Sequence, residues 1–201
     1  LHTAYRRQRQ MCIRDRANTD GSYGLRPLRH LSGGCIRMSE YSIASTLAED
    51  IFTGSPVQMT GTGTNVILAE AGNVDNIGVF GGCRYVNSSG QQVFNQNWPT
   101  GTTATEIVAY VWDDPQIVFS AQTATMAEGD VGTLSDWDGV TGSTSTGQSS
   151  AELGVFATTG KALRVLRLLP DPSNAYGTYA RAEVIFAEHV LSGVVSGVGG
   201  I

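Results

Sequence analysis

Only three histidines, His2, His30 and His189, are available for acid–base or nucleophilic chemistry. A Ser/His/Asp site would have to use His30 or His189, and no serine in the chain sits in a G-x-S-x-G elbow. The adjacent carboxylates Asp113 and Asp114 could be read as a glycosidase pair. Neighbouring residues of a strand point to opposite faces, however, so the two would not flank one bond, and turn formation ahead of Pro115 is the simpler role. Glu128, Asp130, Asp136 and Asp138 offer hard oxygen ligands for calcium but lack the ordered spacing of an EF-hand loop, which makes solvated surface the default. The glycines at 61–63 and 81–82 are not followed by Gly-Lys-Ser/Thr, so no phosphate loop is expected. Cys12, Cys35 and Cys83 are far apart and give no zinc spacing, and unpaired thiols are the simplest account of them. The residues therefore point to no metal, no cofactor and no enzyme. Trp98, Trp137 and Tyr176 remain as aromatics that could stack on sugar rings or anchor a protein interface. Trp112 lies in an apolar run and is expected in the core.

The elements around these residues read as strands. Glycine is abundant, at 25 of 201 residues, and charged residues make up only 15%, a profile that favours short strands and many turns. Asp50–Met59 reads as strand, turn, strand. Ile77–Val86 reads as a strand interrupted at Gly81-Gly82, where a bulge or sharp bend is expected. Glu106–Trp112 and Gln116–Ala121 flank Asp113-Asp114-Pro115 as a hairpin of two central strands, and Leu163–Leu169 and Ala182–Ala187 read as the last two long strands. Gly139–Ser150 has the low complexity of an exposed loop. The pattern predicts an all-β fold, a compact antiparallel β-barrel or β-sandwich over residues 39–191, with a glycine-rich tail at 192–201. No apolar run approaches the roughly 20 residues of a membrane span, so no membrane partner is expected.

Residues 17–38 read differently, as an extended N-terminal arm. Leu25, Leu28 and Leu31 recur at every third position, and Arg26 and Arg29 share that step. Pro27 fixes its own backbone and pushes Arg26 toward an extended conformation. A step of three matches polyproline II, with one apolar and one cationic edge suited to lying along another chain. Residues 1–16 are different again, with five arginines against Asp15. The whole chain carries a net charge of −5, and since residues 1–16 contribute +5 and −1, the remainder carries −9. A body so acidic argues against direct nucleic-acid binding.

Three blocks carry a family resemblance. ANTDG…GLRPLRHLSGG within residues 17–34, YVWDDPQIVFSAQ at Tyr110–Gln122, and LRVLRLLPDPSNAYGTYARAEVIFAEH at Leu163–His189 together resemble head-decoration (cement) proteins of marine tailed bacteriophages. Ser22-Tyr23 departs from the proline that usually follows Asp-Gly in that family. The stretch RRQRQMCIRDR in residues 1–16 resembles translated sequencing-adapter read-through and is set aside from fold reasoning.

The resemblance implies a non-enzymatic structural virion protein, made in the host cytoplasm and bound to the outer surface of a capsid. It implies the major capsid protein as partner and a homotrimer as assembly. The residues expected to touch the capsid are Leu25, Arg26, Pro27, Leu28, Arg29 and Leu31 of the arm. Two rival readings stay open at this point: a carbohydrate-binding β-sandwich using Trp98, Trp137 and Tyr176, and a tail or neck component of the same particle.

Overall fold

The structure, a computed structural model, describes residues 18–61, 64–72 and 75–192. Residues 1–17 and all but the first residue of the 192–201 tail lie outside the described residues. In chain order the strands are β1 (Arg26–His30), β2 (Ser39–Tyr41), β3 (Ile51–Phe52), β4 (Pro56–Met59), β5 (Val66–Leu68), β6 (Asn76–Asn87), β7 (Gln92–Asn95), β8 (Asn97–Trp98) and β9 (Ala104–Trp112). They continue as β10 (Ile117–Gln122), β11 (Thr125–Met126), β12 (Leu134–Asp138), β13 (Gly142–Ser143), β14 (Gln148–Ser149), β15 (Glu152–Ala157), β16 (Leu163–Leu168), β17 (Gly177–Thr178) and β18 (Arg181–Phe186). Among the described residues the only helical pieces are the short 3-10 turns Glu128–Asp130 and Val190–Ser192. The protein is all-β and antiparallel.

Two large sheets form. The first has the order β1-β10-β18-β16-β12-β15; the second has β2-β9-β6-β4-β5, with β7 also paired to β6. Both curl. Thr123, just past β10, bridges Leu153 of β15, and Ser42, just past β2, bridges Asn65 ahead of β5. Each sheet thus nearly returns on itself and wraps its own core. Leu25, Phe119, Leu163, Val184 and Phe186 belong to the first core, and Ile51, Ile77, Phe80, Trp98 and Val111 to the second. Val79 of β6 belongs to the first core, and the indole of Trp137 donates to the carbonyl of Ala69 at 3.2 Å, so the two cores are stitched together.

Long β6 shows how local sequence shapes a sheet. Its first half pairs with β4 and its second half with β7, while β9 runs along its other side through a bulge at Phe80/Gly82. The double glycine sits at that bulge, as expected. A Cβ at Gly81 would lie 2.6 Å from the sulfur of Met38, an exposed side chain that would have to swing aside.

Two expectations are corrected. Asp113-Asp114-Pro115 does not close a hairpin. β9 belongs to the second sheet and β10 to the first, so this turn carries the chain between sheets. Its carboxylates are held from afar: Tyr41 donates its hydroxyl to Asp113 at 2.9 Å, and His30 Nε2 lies 3.0 Å from Asp114. These bonds redirect a turn whose local pattern alone would fold back. The second correction concerns residues 17–38. They are not an arm separate from a body starting at residue 39, because β1 is the edge strand of the first sheet, antiparallel to β10. Pro27 is compatible with that place, since an edge strand tolerates a residue without an N–H.

Candidate functional site

The arginines explain why a step of three recurs in this chain. Residues of a plain strand share a face every second position. In β1, Arg26 stands opposite Ser120 and Arg29 opposite Val118, with the register shifting between Pro27 and Arg29. In β16, Arg164 stands opposite Ile185 and Arg167 opposite Glu183, again with a shift between Val165 and Arg167. A bulge adds one residue to one strand, so a spacing of three returns to the same face. Arg26, Arg29, Arg164 and Arg167 consequently share the outer face of the first sheet.

Glu183 lies at the centre of that face. It is buried, and it accepts from Arg29 at 2.9 Å and from Arg167 at 2.9 Å. Burial pushes its carboxyl up, but the hydrogen bonds and charges of Arg167 and Arg29 together outweigh burial and hold it below the ordinary glutamate range. A carboxyl lowered on folding stabilises the protein above its unfolded pKa, and that contribution is lost as pH falls through the folded value. Glu183→Gln should therefore cost about 1–3 kcal/mol near neutral pH. The gap between wild type and variant in urea midpoint should close as pH falls through and below the ordinary glutamate range. A gap that stays constant with pH would show that the carboxylate charge is not what stabilises this face.

Beyond β1 the chain crosses to the second sheet as an exposed segment. Leu28 is 41% exposed and Leu31 53%, and Ile36 and Met38 follow in solvent beside Arg37. The six residues expected to contact a partner thus divide. Arg26, Leu28 and Leu31 are exposed, Pro27 and Arg29 are half-buried, and Leu25 is fully buried in the first core. Leu25 is removed as a contact residue, because its side chain faces the protein's own interior.

A polar cleft of about 540 Å³ opens at the end of the same face, lined by Asn18–Gly21, Tyr23, Arg26, Gln122, Ser173 and Arg181. Its walls draw on all three of the distinctive sequence blocks. Asn18 donates to the carbonyls of Ala175 at 2.8 Å and Thr178 at 2.9 Å, and accepts from the Ala175 amide at 3.1 Å. Buried Gln122 accepts from the Gly21 amide at 3.0 Å and donates to the Thr19 carbonyl at 2.9 Å. Asn174 donates to the carbonyls of Leu169 and Arg181 and accepts from the Arg181 amide. Three amide side chains therefore fix the cleft walls before any ligand arrives. The Arg26 guanidinium lies 4.5 Å over the Tyr23 ring, and Arg181 donates to Asp171 at 3.0 Å.

The remaining candidates fall out as follows. Trp98 and Trp137 are buried, with Trp98 edge-on to Tyr85 and Trp137 edge-on to Phe186. Neither presents a ring to a sugar; both are corrected to core residues, because each sits on a paired strand with its side chain packed into one of the two cores. Tyr176, 42% exposed, is the one aromatic of the three still open to solvent, and it follows Ala175, which Asn18 clamps. The acids of residues 128–138 are engaged separately. Asp130 accepts from the Ala127 amide, and Asp136 accepts from Lys161 and from the Ala162 amide. Among the described residues no three His, Cys, Asp or Glu side chains converge on a metal-sized site. His30 and His189 sit near Asp114 and Asp113, and burial lowers His189 below its usual range. Cys35 is exposed and Cys83 buried, both free, with burial pushing the Cys83 thiol up to about 12. No helix among the described residues is long and apolar enough to cross a membrane.

Sequence reasoning missed Asn18, Tyr23, Gln122, Arg164, Arg167, Arg181 and Glu183. The one available signal was the step of three at Arg164 and Arg167, which repeats that of Arg26 and Arg29. No family model matches the chain, and neither do any of the curated proteins or solved structures compared with it.

Proposed function

We propose that this chain is a structural, non-enzymatic virion protein that binds the outside of a phage capsid and stabilises it by bridging capsid subunits. The observation that carries this reading is the mixed cationic and apolar surface around β1. Arg26, Arg29, Arg164 and Arg167 share one face, and Leu28 and Leu31 stand exposed on the same strand and its extension. On a body of net charge −9 beyond residue 16, such a surface suits an acidic, partly apolar protein partner and not a nucleic acid. The resemblance of the three blocks supports the major capsid protein as that partner, and a homotrimer rests on the same resemblance.

Bridging requires contacts in more than one place. Val155 of β15 is 82% exposed and Phe94 of β7 69%, the most exposed of the large apolar side chains described. Phe94 lies on the second sheet and Val155, like β1, on the first, so contacts at β7 and on the first sheet would engage separate neighbours. Linked contacts hold far longer than any one of them. A face fixed in a sheet also loses less conformational freedom on docking than a free arm would.

The test is attachment to expanded capsids assembled from the major capsid protein of a tailed bacteriophage. Leu28→Ser combined with Leu31→Ser is expected to weaken attachment about tenfold or more, with the melting temperature little changed, because both side chains already face water. Attachment that survives both substitutions undiminished would remove β1 as the contact.

A further inference from the structure

The cleft at the end of the arginine face has a chemistry of its own. The polar groups of its lining include the guanidinium of Arg26, which also bonds Gln148, that of Arg181, which also bonds Asp171 and Ser173, the carboxylate of Asp20 and the hydroxyls of Thr19 and Tyr23. The ring of Tyr23 is the one sizeable apolar surface in its lining, and Arg26 already covers part of it. A ligand held here must therefore be polar around most of its perimeter, which disfavours a lipid or an apolar peptide segment. It must also satisfy opposite charges at once. The two arginines call for an anion and accept a planar carboxylate in bidentate fashion. Asp20 calls for hydrogen-bond donors, and an anion lacking them would be repelled. One class of small molecule carries a carboxylate and adjacent hydroxyl donors on a single rigid ring.

We infer that the cleft binds an acidic saccharide, a sugar ring bearing a carboxylate. Arg26 and Arg181 hold the carboxylate, Asp20 accepts from ring hydroxyls, and Tyr176, exposed outside the cleft lining and next in the chain to the clamped Ala175, offers a stacking face for a following sugar unit. The site is preorganised. The amides of Asn18, Gln122 and Asn174 are already spent on the walls, and Arg26 is oriented by Tyr23 and by a 3.3 Å bond to Gln148. This activity shares Arg26 with the arginine face but does not use Leu28 or Leu31, which lie outside the cleft lining.

Calorimetric titration of the full chain with an oligogalacturonate, its methyl ester and acetate tests the assignment. The oligogalacturonate is expected to bind saturably, with a dissociation constant of about 1 mM or tighter. The ester, which keeps the rings and loses the charge, should bind about tenfold more weakly, and acetate not measurably. Arg26→Gln and Asp20→Asn should each weaken binding by about fivefold or more, and Tyr176→Ala should do so for the oligomer but not for a single sugar acid. The Leu28→Ser, Leu31→Ser variant should bind the saccharide normally, which separates this result from that of capsid attachment. Absence of saturable binding, equal binding of the ester, equal binding of acetate, or full affinity in both Arg26→Gln and Asp20→Asn would each overturn the assignment.

Discussion

A chain cut back to begin at Ser32 is expected to lose its cooperative fold, and Leu25→Ala alone to cost about 2–5 kcal/mol. Viewed as an arm, residues 17–34 would be dispensable to the body. The geometry of β1 reverses that expectation. Leu25 is fully buried in the first core, β1 covers one edge of β10, and Arg29 reaches Glu183. Just ahead of β1 the chain crosses the β3–β4 turn backbone to backbone: Leu25 donates its amide to the Gly54 carbonyl at 2.9 Å. Gly24 has φ +73°, and a Cβ built on it would lie 2.6 Å from the oxygen of Gly54. An alanine there meets rigid backbone and an unfavourable dihedral together, so Gly24→Ala should destabilise at least as much as Leu25→Ala. Urea unfolding followed by tryptophan fluorescence measures all three variants. A truncated chain that unfolds at the wild-type midpoint would mean that β1 docks without contributing to stability.

The same segment shows what one sequence conveys and where it stops. An all-β fold, the bulge at Gly81-Gly82 and the existence of the late strands β16 and β18 are all visible, because each rests on residues close together in the chain. The arginines of β1 illustrate an ambiguity of spacing. Polyproline II and a bulged strand both return to one face at the third residue, and only the partner strand tells them apart. Asp113-Asp114-Pro115 illustrates an ambiguity of context. Two apolar runs around a turn read as a hairpin until Tyr41 and His30, distant in sequence, bond its carboxylates and send the chain to another sheet. The cleft was hidden for the same reason: Asn18 and Ala175 are 157 residues apart, and no periodicity records their meeting. The distinctive blocks were recognised separately, while their adjacency belongs to the fold.

Trp98 provides the second large effect and separates packing from recognition. Its neighbours Gln96, Asn97 and Pro99 suggest a polar loop with a free aromatic ring. In the fold, Asn97–Trp98 is a short strand paired to Ile51–Phe52, and the indole lies wholly inside the second core, edge-on to Tyr85 at 5.5 Å between ring centres. Removing it opens a cavity that the surrounding strands fill only in part. Trp98→Ala should cost about 3–5 kcal/mol, a fall of roughly 6–20 °C in melting temperature. No described residue accepts the indole N–H, so Trp98→Phe removes an uncompensated buried donor along with some volume and should cost less than half as much. Tyr176→Ala, by contrast, should shift the melting temperature by no more than about 2 °C, because its ring is already partly in water. Paired melting curves and saccharide titrations on these variants give opposite signatures. Trp98→Phe, which leaves the fold largely intact, should leave saccharide binding unchanged, and Tyr176→Ala should lower binding with little change in stability. Loss of binding in Trp98→Phe without loss of stability would return Trp98 to the surface and contradict its burial.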